Sequence, residues 1–165
     1  MCENIPKYIF PLEKCLFSLV NFLFTLIAVA IVMLFQGFVP SVTAILFPIP
    51  VMYCFIFVVG ASLFLSAATV YFRDVQHLYG IFLTALMYLT PIIYPLSLLE
   101  GQGWVSKIVH INPITHYVEY FRGLVMYNYI PGIKENLVCL GMALVMFLIG
   151  ALVFKKAQRK FILHI

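Results

Sequence analysis

The side chains of this chain that could do chemistry are few, and none stands at a catalytic spacing. His77, His110, His116 and His164 are scattered, and no H-E-x-x-H sets two of them on one helix face as zinc ligands. Cys2, Cys15, Cys54 and Cys139 form no C-x-x-C and no Cys/His ligand set, so they read as free thiols, small polarizable groups suited to apolar packing. No G-x-x-x-x-G-K-[ST] loop is present to cradle a nucleotide's phosphates, and no G-x-S-x-G elbow to raise a nucleophilic serine. The expectation is that the chain is not an enzyme and carries no cofactor and no metal. Its charged residues stand at junctions, among prolines and other polar groups: Pro6, Lys7, Tyr8 and Pro11, then Arg73-Asp74, then Asn112-Pro113 followed by Glu119 and Arg122.

Between those junctions lie four stretches, 15–35, 44–70, 78–99 and 137–154, without a single charged residue. At about 1.5 Å of rise per helical residue, each approaches or exceeds the roughly 30 Å of a bilayer's hydrocarbon core. A soluble helix shows a polar face every few residues, and these show none. Hydrophobic residues make up 64% of the chain and charged residues 10%, against about 25% charged in an ordinary soluble domain. With a mean hydropathy of +1.08, lipid is the expected solvent. The in–out alternation of a membrane β-barrel is missing. The expected fold class is all-α: a polytopic membrane protein with four transmembrane helices and an outer interfacial or re-entrant helical segment within 100–135.

A net charge of +4 is too small to point to nucleic acid, but its distribution orients the chain. With four crossings and an inner N-terminus, Lys7, Lys14, Arg73, Lys155, Lys156, Arg159 and Lys160 fall inside, and Lys107, Arg122 and Lys134 outside. Seven cations against three favours this orientation, because Lys and Arg are retained on the cytoplasmic side. Both termini are then cytoplasmic, and no cleavable signal peptide is expected at the start.

The opening segment 1–14 is polar and framed by Pro6 and Pro11, which favours a turn or helical stub; lysines beside aromatics suit either a membrane surface or a cytoplasmic protein partner. In the first span Ser18, Asn21 and Thr25 fall on one stripe suited to helix–helix contact. The second holds the small residues Gly60, Ala61, Ser62, Ser66, Ala67 and Ala68, which allow close backbone approach. In the third, Pro91 and Pro95 cannot donate hydrogen bonds to the carbonyls of Met87 and Pro91. In hydrocarbon those carbonyls need another partner or a watered cavity, so a kink is expected there, as a bend alone or as part of a pathway. Gly101, Gly103 and Pro113 break the stretch 100–135, Trp104 is an interfacial anchor, and aromatic-rich 114–129 reads as the outer helix. Within it, Glu119 and Arg122 are spaced to pair on one face. The tail 155–165 opens with a basic stop favoured by anionic headgroups.

The order of these pieces carries a resemblance. A stub IPKYIFPLEK enters a span, a second span closes with YFRDVQHL, and the next carries LTPIIYP; then come Trp104, INPITHYVEYFRG and a last span ending FKKAQRKF. Over essentially its whole length the chain resembles the permease of ABC-2 type exporters that move polysaccharides, including the O-antigen and teichoic acid subfamilies. The resemblance implies a multi-pass protein of the bacterial cytoplasmic membrane. It implies a homodimer that pairs with separate ABC ATP-binding subunits and exports a polysaccharide or lipid-linked glycan. By the same resemblance Pro6, Lys7, Tyr8 and Pro11, with Arg73 and Asp74, meet the ATPase, while Asn112, Pro113, Glu119 and Arg122 belong to an outer re-entrant gate. Tyr88 and Tyr94 are candidates for stacking on sugar rings, or equally for packing against lipid. Such permeases have six spans, so the first two are expected to be missing here. An ABC-2 permease for drugs or lipids, and a membrane fragment without transport, are the competing readings.

Overall fold

In hydrocarbon every backbone N–H and C=O must find its partner within the protein, and a helix does this within one segment. The computed structural model describes residues 8–37, 42–72, 74–92 and 103–161, and among these the regular structure is all helical. The helices are α1 (Ile9–Phe35), α2 (Pro48–Tyr71), α3 (Val75–Leu89), α4 (Gly103–Ile111), α5 (Pro113–Met126) and α6 (Ile133–Phe161), with one 3-10 turn (Val42–Leu46) ahead of α2. Three segments, Ile9–Phe35, Val42–Val70 and Ile133–Gln158, are long and apolar enough to cross a membrane, and His77–Leu89 is a shorter apolar helix. The expected class, an all-α polytopic membrane protein, is what the structure has.

The helix ends follow local chemistry. α1 starts at Ile9, so Pro11 sits in its first turn, where a missing N–H costs nothing. Residues 9–14 of the expected stub are therefore continuous with the span. α1 stops at Gln36, followed by Gly37 at φ +72°, and the Gly37 amide donates to the Leu34 carbonyl. Glycine closes helices in this left-handed conformation because it has no Cβ to clash. α2 begins at Pro48 rather than at 44, with Pro48 and Pro50 both in its donor-free first turn. α6 continues through Lys155 and Lys156, whose long stems can reach back to the interface, while Ala157 remains buried.

Two expectations are corrected. α3 does not kink near Pro91; it ends at Leu89, because Thr90 takes an extended conformation at φ −86°, ψ 130°, as the residue before a proline prefers. Its 15 residues span about 22 Å, less than the hydrocarbon core, and the expected continuation over 93–99 lies outside the described residues. The stretch 100–135 holds two helices rather than one, α4 and α5, broken at Asn112-Pro113.

The core is a parallel pair. Tyr53 lies against Asn136, Gly60 against Phe147 and Gly150, and Ala67 against Phe154 and Ala157, so α2 and α6 run in the same direction. At Gly60 the backbones meet: a methyl there would lie 2.5 Å from the Phe147 Cα, and one on Gly150 would overlap the Gly60 carbonyl. Of the expected small-residue set, Gly60 and Ala67 serve this seam, while Ser62 accepts a bond from the Cys15 thiol of α1 at 3.2 Å. Cys15 is the one buried residue of α1. Ser18, Asn21 and Thr25 are exposed within this chain, and the Thr25 hydroxyl is satisfied within its own helix by the Asn21 carbonyl at 2.9 Å.

Since α2 and α6 are parallel, the chain between them must return to its starting end, and α3 travels most of that distance. The result collects charge at the two ends. Tyr8 and Leu12 border a groove with Lys155 and Gln158 at one end, and α4, α5 and the start of α6 occupy the other. The seam should be intolerant where it is tightest. Gly60→Leu is expected to lower the unfolding free energy of the detergent-solubilised protein by about 3 kcal/mol. Gly141→Ala, where a methyl meets nothing within 4 Å, is expected to cost nothing in the same measurement.

Candidate functional site

The break that ends α3 leaves polar backbone groups in an apolar surrounding, and α4–α5 supplies their partners. Asn112 caps α5: its extended backbone lets Oδ1 accept from the Ile114 amide at 3.0 Å, and Pro113 fills the first helical position. The other atom of the same side chain faces α3, and Nδ2 donates to the Thr90 hydroxyl at 3.0 Å. Thr90 in turn donates to the Leu86 carbonyl at 2.8 Å. Both side chains are buried, Thr90 at 2% and Asn112 at 6% exposure.

Farther along α5, Arg122 Nη2 donates to the carbonyls of Pro91 and Ile92 at 3.0 and 3.1 Å. Pro95, which has no N–H, cannot return a helical bond to the Pro91 carbonyl, so a guanidinium takes that place. Arg122 therefore does not pair with Glu119, as its spacing had allowed. The Pro91 carbonyl, which Pro95 cannot serve, and the adjacent Ile92 carbonyl attract a charged donor more strongly than a half-exposed carboxylate that water can serve.

On the other face of α5 lies a cleft of about 480 Å³, lined by His116, Glu119, Tyr120, Arg122, Tyr127, Tyr129 and Glu135. Its wall is a tyrosine network. The Tyr120 hydroxyl donates to Asn136 Oδ1 at 2.8 Å, the Tyr53 hydroxyl reaches the same oxygen at 3.4 Å, and Tyr117 donates to the Cys139 carbonyl at 3.0 Å. Tyr53 and Tyr120 meet edge to face with centroids 6.5 Å apart, and Phe57 tilts against Tyr117 at 5.8 Å. Asn136 Nδ2 holds the incoming loop through the Pro131 and Gly132 carbonyls. The loop folds back on α5: the Tyr129 amide donates to the Gly123 carbonyl at 3.0 Å, and the Tyr129 hydroxyl faces the Glu135 carboxylate at 3.3 Å.

Burial pushes the Tyr117 and Tyr120 phenols above the usual tyrosine range, and the Glu135 carboxylate beside Tyr129 pushes that phenol up as well. All three stay protonated donors at neutral pH. Aromatic faces, phenolic donors, two carboxylate acceptors and a guanidinium in one cleft suit a ligand rich in hydroxyl groups. No nucleophile is paired with a base there. Among the described residues no group of His, Cys, Asp and Glu is arranged to hold a metal ion.

The expected gate residues Asn112, Pro113, Glu119 and Arg122 thus share one helix and its cap, with Arg122 joining the α3 break to the cleft. Tyr88 is 68% exposed on α3, away from the cleft, and Tyr94 lies outside the described residues. Tyr8 and Asp74 are exposed and Pro11 half-buried, while Pro6, Lys7 and Arg73 lie outside the described residues. Sequence reasoning missed Thr90, Asn136 and Glu135. The tyrosines of 114–129 stood out as an aromatic-rich run, but nothing local tied them to Asn136.

Residues 10–126 match the family model described as ABC-2 type transporter. The chain is similar to the O-antigen export system permease protein RfbA of Myxococcus xanthus, 23% identical over 158 residues that cover 96% of this chain and 61% of that protein. It is similar also to a protein of the same description from Klebsiella pneumoniae, 23% identical over 162 residues, covering 94% of this chain and 60% of the relative. The chain spans about 60% of the length of these relatives.

Two measurements probe the cleft. Asn136→Leu leaves the buried Tyr120 hydroxyl without its acceptor and should destabilise the protein by about 2 kcal/mol, read by denaturant unfolding, with Tyr53→Phe costing less because its bond is longer. A raised phenol keeps its proton, so the Tyr129–Glu135 contact should persist through the ordinary tyrosine range and be lost only as pH climbs past the elevated value. In Glu135→Gln the Tyr129 titration should move down, observed by NMR of ring-labelled tyrosine.

Proposed function

The chain belongs to the ABC-2 type transporter family, and from that premise we propose that it is membrane permease sequence of an exporter of polysaccharide or lipid-linked glycan. The observation that carries this reading is the similarity to O-antigen export permeases along 96% of the chain. In this reading the protein lies in the bacterial cytoplasmic membrane, works as a homodimer, and moves its cargo on ATP hydrolysed by separate ABC ATP-binding subunits.

The distribution of side chains supports the two ends having different partners. Exposed Tyr8 and Asp74, half-buried Pro11 and the basic run from Lys155 belong to the end read as cytoplasmic, where an ATPase docks. The α4–α5 pair with its tyrosine cleft belongs to the end read as external, where a hydroxyl-rich polymer leaves. Glycans are held by stacking on aromatic faces and by multiple neutral and charged hydrogen bonds, and the cleft offers both. Tyr127 and Tyr129, both exposed in the cleft, are better candidates for this contact than Tyr88 on the outer face of α3.

Deleting the complete gene should leave a lipid-linked glycan accumulated at least about ten-fold on the cytoplasmic side, with the surface polymer lost; restoring the gene with Tyr127→Ala and Tyr129→Ala together should recover the folded protein but only a small part of the export. Unchanged surface polysaccharide in the deletion strain, with altered resistance to drugs or altered lipid distribution, would instead favour a drug or lipid permease.

A further inference from the structure

The buried polar side chains among the described residues are Thr90, Asn112 and Thr115, and all three lie at or beside one joint, where the broken end of α3 meets the start of α5. The two sides of α5 are held differently. Toward α2 and α6 it is fixed by a dry cluster of Tyr117, Tyr120, Leu124 and Cys139, against which Tyr53, Cys54 and Phe57 pack. Toward α3 it is held by hydrogen bonds: Asn112 to Thr90, and Arg122 to the Pro91 and Ile92 carbonyls. Farther back along α3, Ile81 and Phe82 are exposed. A dry seam opens only by exposing apolar surface, whereas a few polar bonds can be exchanged for bonds to water or ligand.

Arg122 belongs to both features. It closes the joint through Nη2, and it lines the cleft beside Glu119 and Tyr120. We propose that Thr90, Asn112 and Arg122 form a releasable clasp, and that a glycan entering the cleft draws Arg122 away from the Pro91 and Ile92 carbonyls, parting α5 from α3. These are positioning residues: they hold the α4–α5 pair closed at rest, and the guanidinium is the element shared between ligand and closure. Once the guanidinium leaves, the carbonyls must be met by water, so opening and wetting of the joint are one event. The idea rests on the reading of the chain as a glycan exporter.

The test follows the wetting of the joint. In the full-length protein with Cys2, Cys15, Cys54 and Cys139 replaced by serine, Thr115→Cys, fully buried beside the joint and outside the clasp, reports on it through its reaction with a water-soluble methanethiosulfonate reagent in membrane vesicles. Val109→Cys, buried on α4 and likewise outside the clasp, is a second reporter should the first weaken the fold. Both thiols should be nearly unreactive at rest and react at least about ten-fold faster during export driven by ATP and lipid-linked glycan. Arg122→Gln should raise the resting rate to near the working rate, and Arg122→Lys, which keeps the charge but not the fork, should fall between. Equal rates at rest and at work, or a resting rate indifferent to Arg122→Gln, overturn the clasp. The Arg122→Gln comparison needs no cargo, so it judges the clasp even if deletion of the gene leaves glycan export intact and the reading beneath it fails.

Discussion

A peptide carbonyl without a donor is tolerable in water and expensive in hydrocarbon, and that constraint organises the end of this protein that holds α4 and α5. Pro91 and Pro95 make it acute, because a helix carrying them four residues apart cannot close its own ladder. The chain responds by ending α3 at Leu89 and bringing a second element to the exposed groups. Arginine suits the task better than lysine would: it keeps its charge in any surroundings, and one guanidinium nitrogen reaches two adjacent carbonyls. For Arg122 to arrive, α5 must lie beside the break, and for α5 to start there its own first turn must be capped. Asn112 does both, with one atom on the Ile114 amide and the other on Thr90.

The α2–α6 pair is the frame against which these pieces are set. Its seam is narrow because Gly60 and Gly150 bring backbone to backbone, replacing the hydrophobic drive that lipid does not provide with close van der Waals contact. Polar side chains appear where the pair reaches its end. Asn136, on the first turn of α6, takes the hydroxyls of Tyr120 and Tyr53 on one oxygen and holds the loop carbonyls with its nitrogen. The cleft is consequently built at the end of the closely packed α2–α6 pair, while α1, with Cys15 alone buried in 27 residues, stays peripheral.

Much of this was legible in the residues. Uncharged runs marked three of the crossing helices directly, because hydropathy summed over twenty residues depends little on neighbours. The freed Pro91 carbonyl was legible too, since a missing N–H is a covalent fact. Its partner was not: Arg122 is 31 positions away, and no local pattern chooses between a carbonyl there and Glu119 three positions away. α4 escaped notice because Gly101 and Gly103 signal a break, yet a helix can start at a glycine and still run nine residues. The Ser18, Asn21 and Thr25 stripe is exposed among the described residues, for the opposite reason. Periodicity places residues on a common face but does not say whether anything stands opposite it.

The shortness of α3 has a consequence for the bilayer itself. Its charged start at Asp74 belongs at one lipid surface, and about 22 Å later Thr90 already touches the cap of α5. The far surface lies about 8 Å beyond. With α3 set along the bilayer normal from Asp74, headgroups would have to dip toward that point or the start of α5 would sit sunken among acyl chains, a dimple in the leaflet in either case. In that setting lipid thickness would load the joint mechanically, and a bilayer with shorter chains would relieve it.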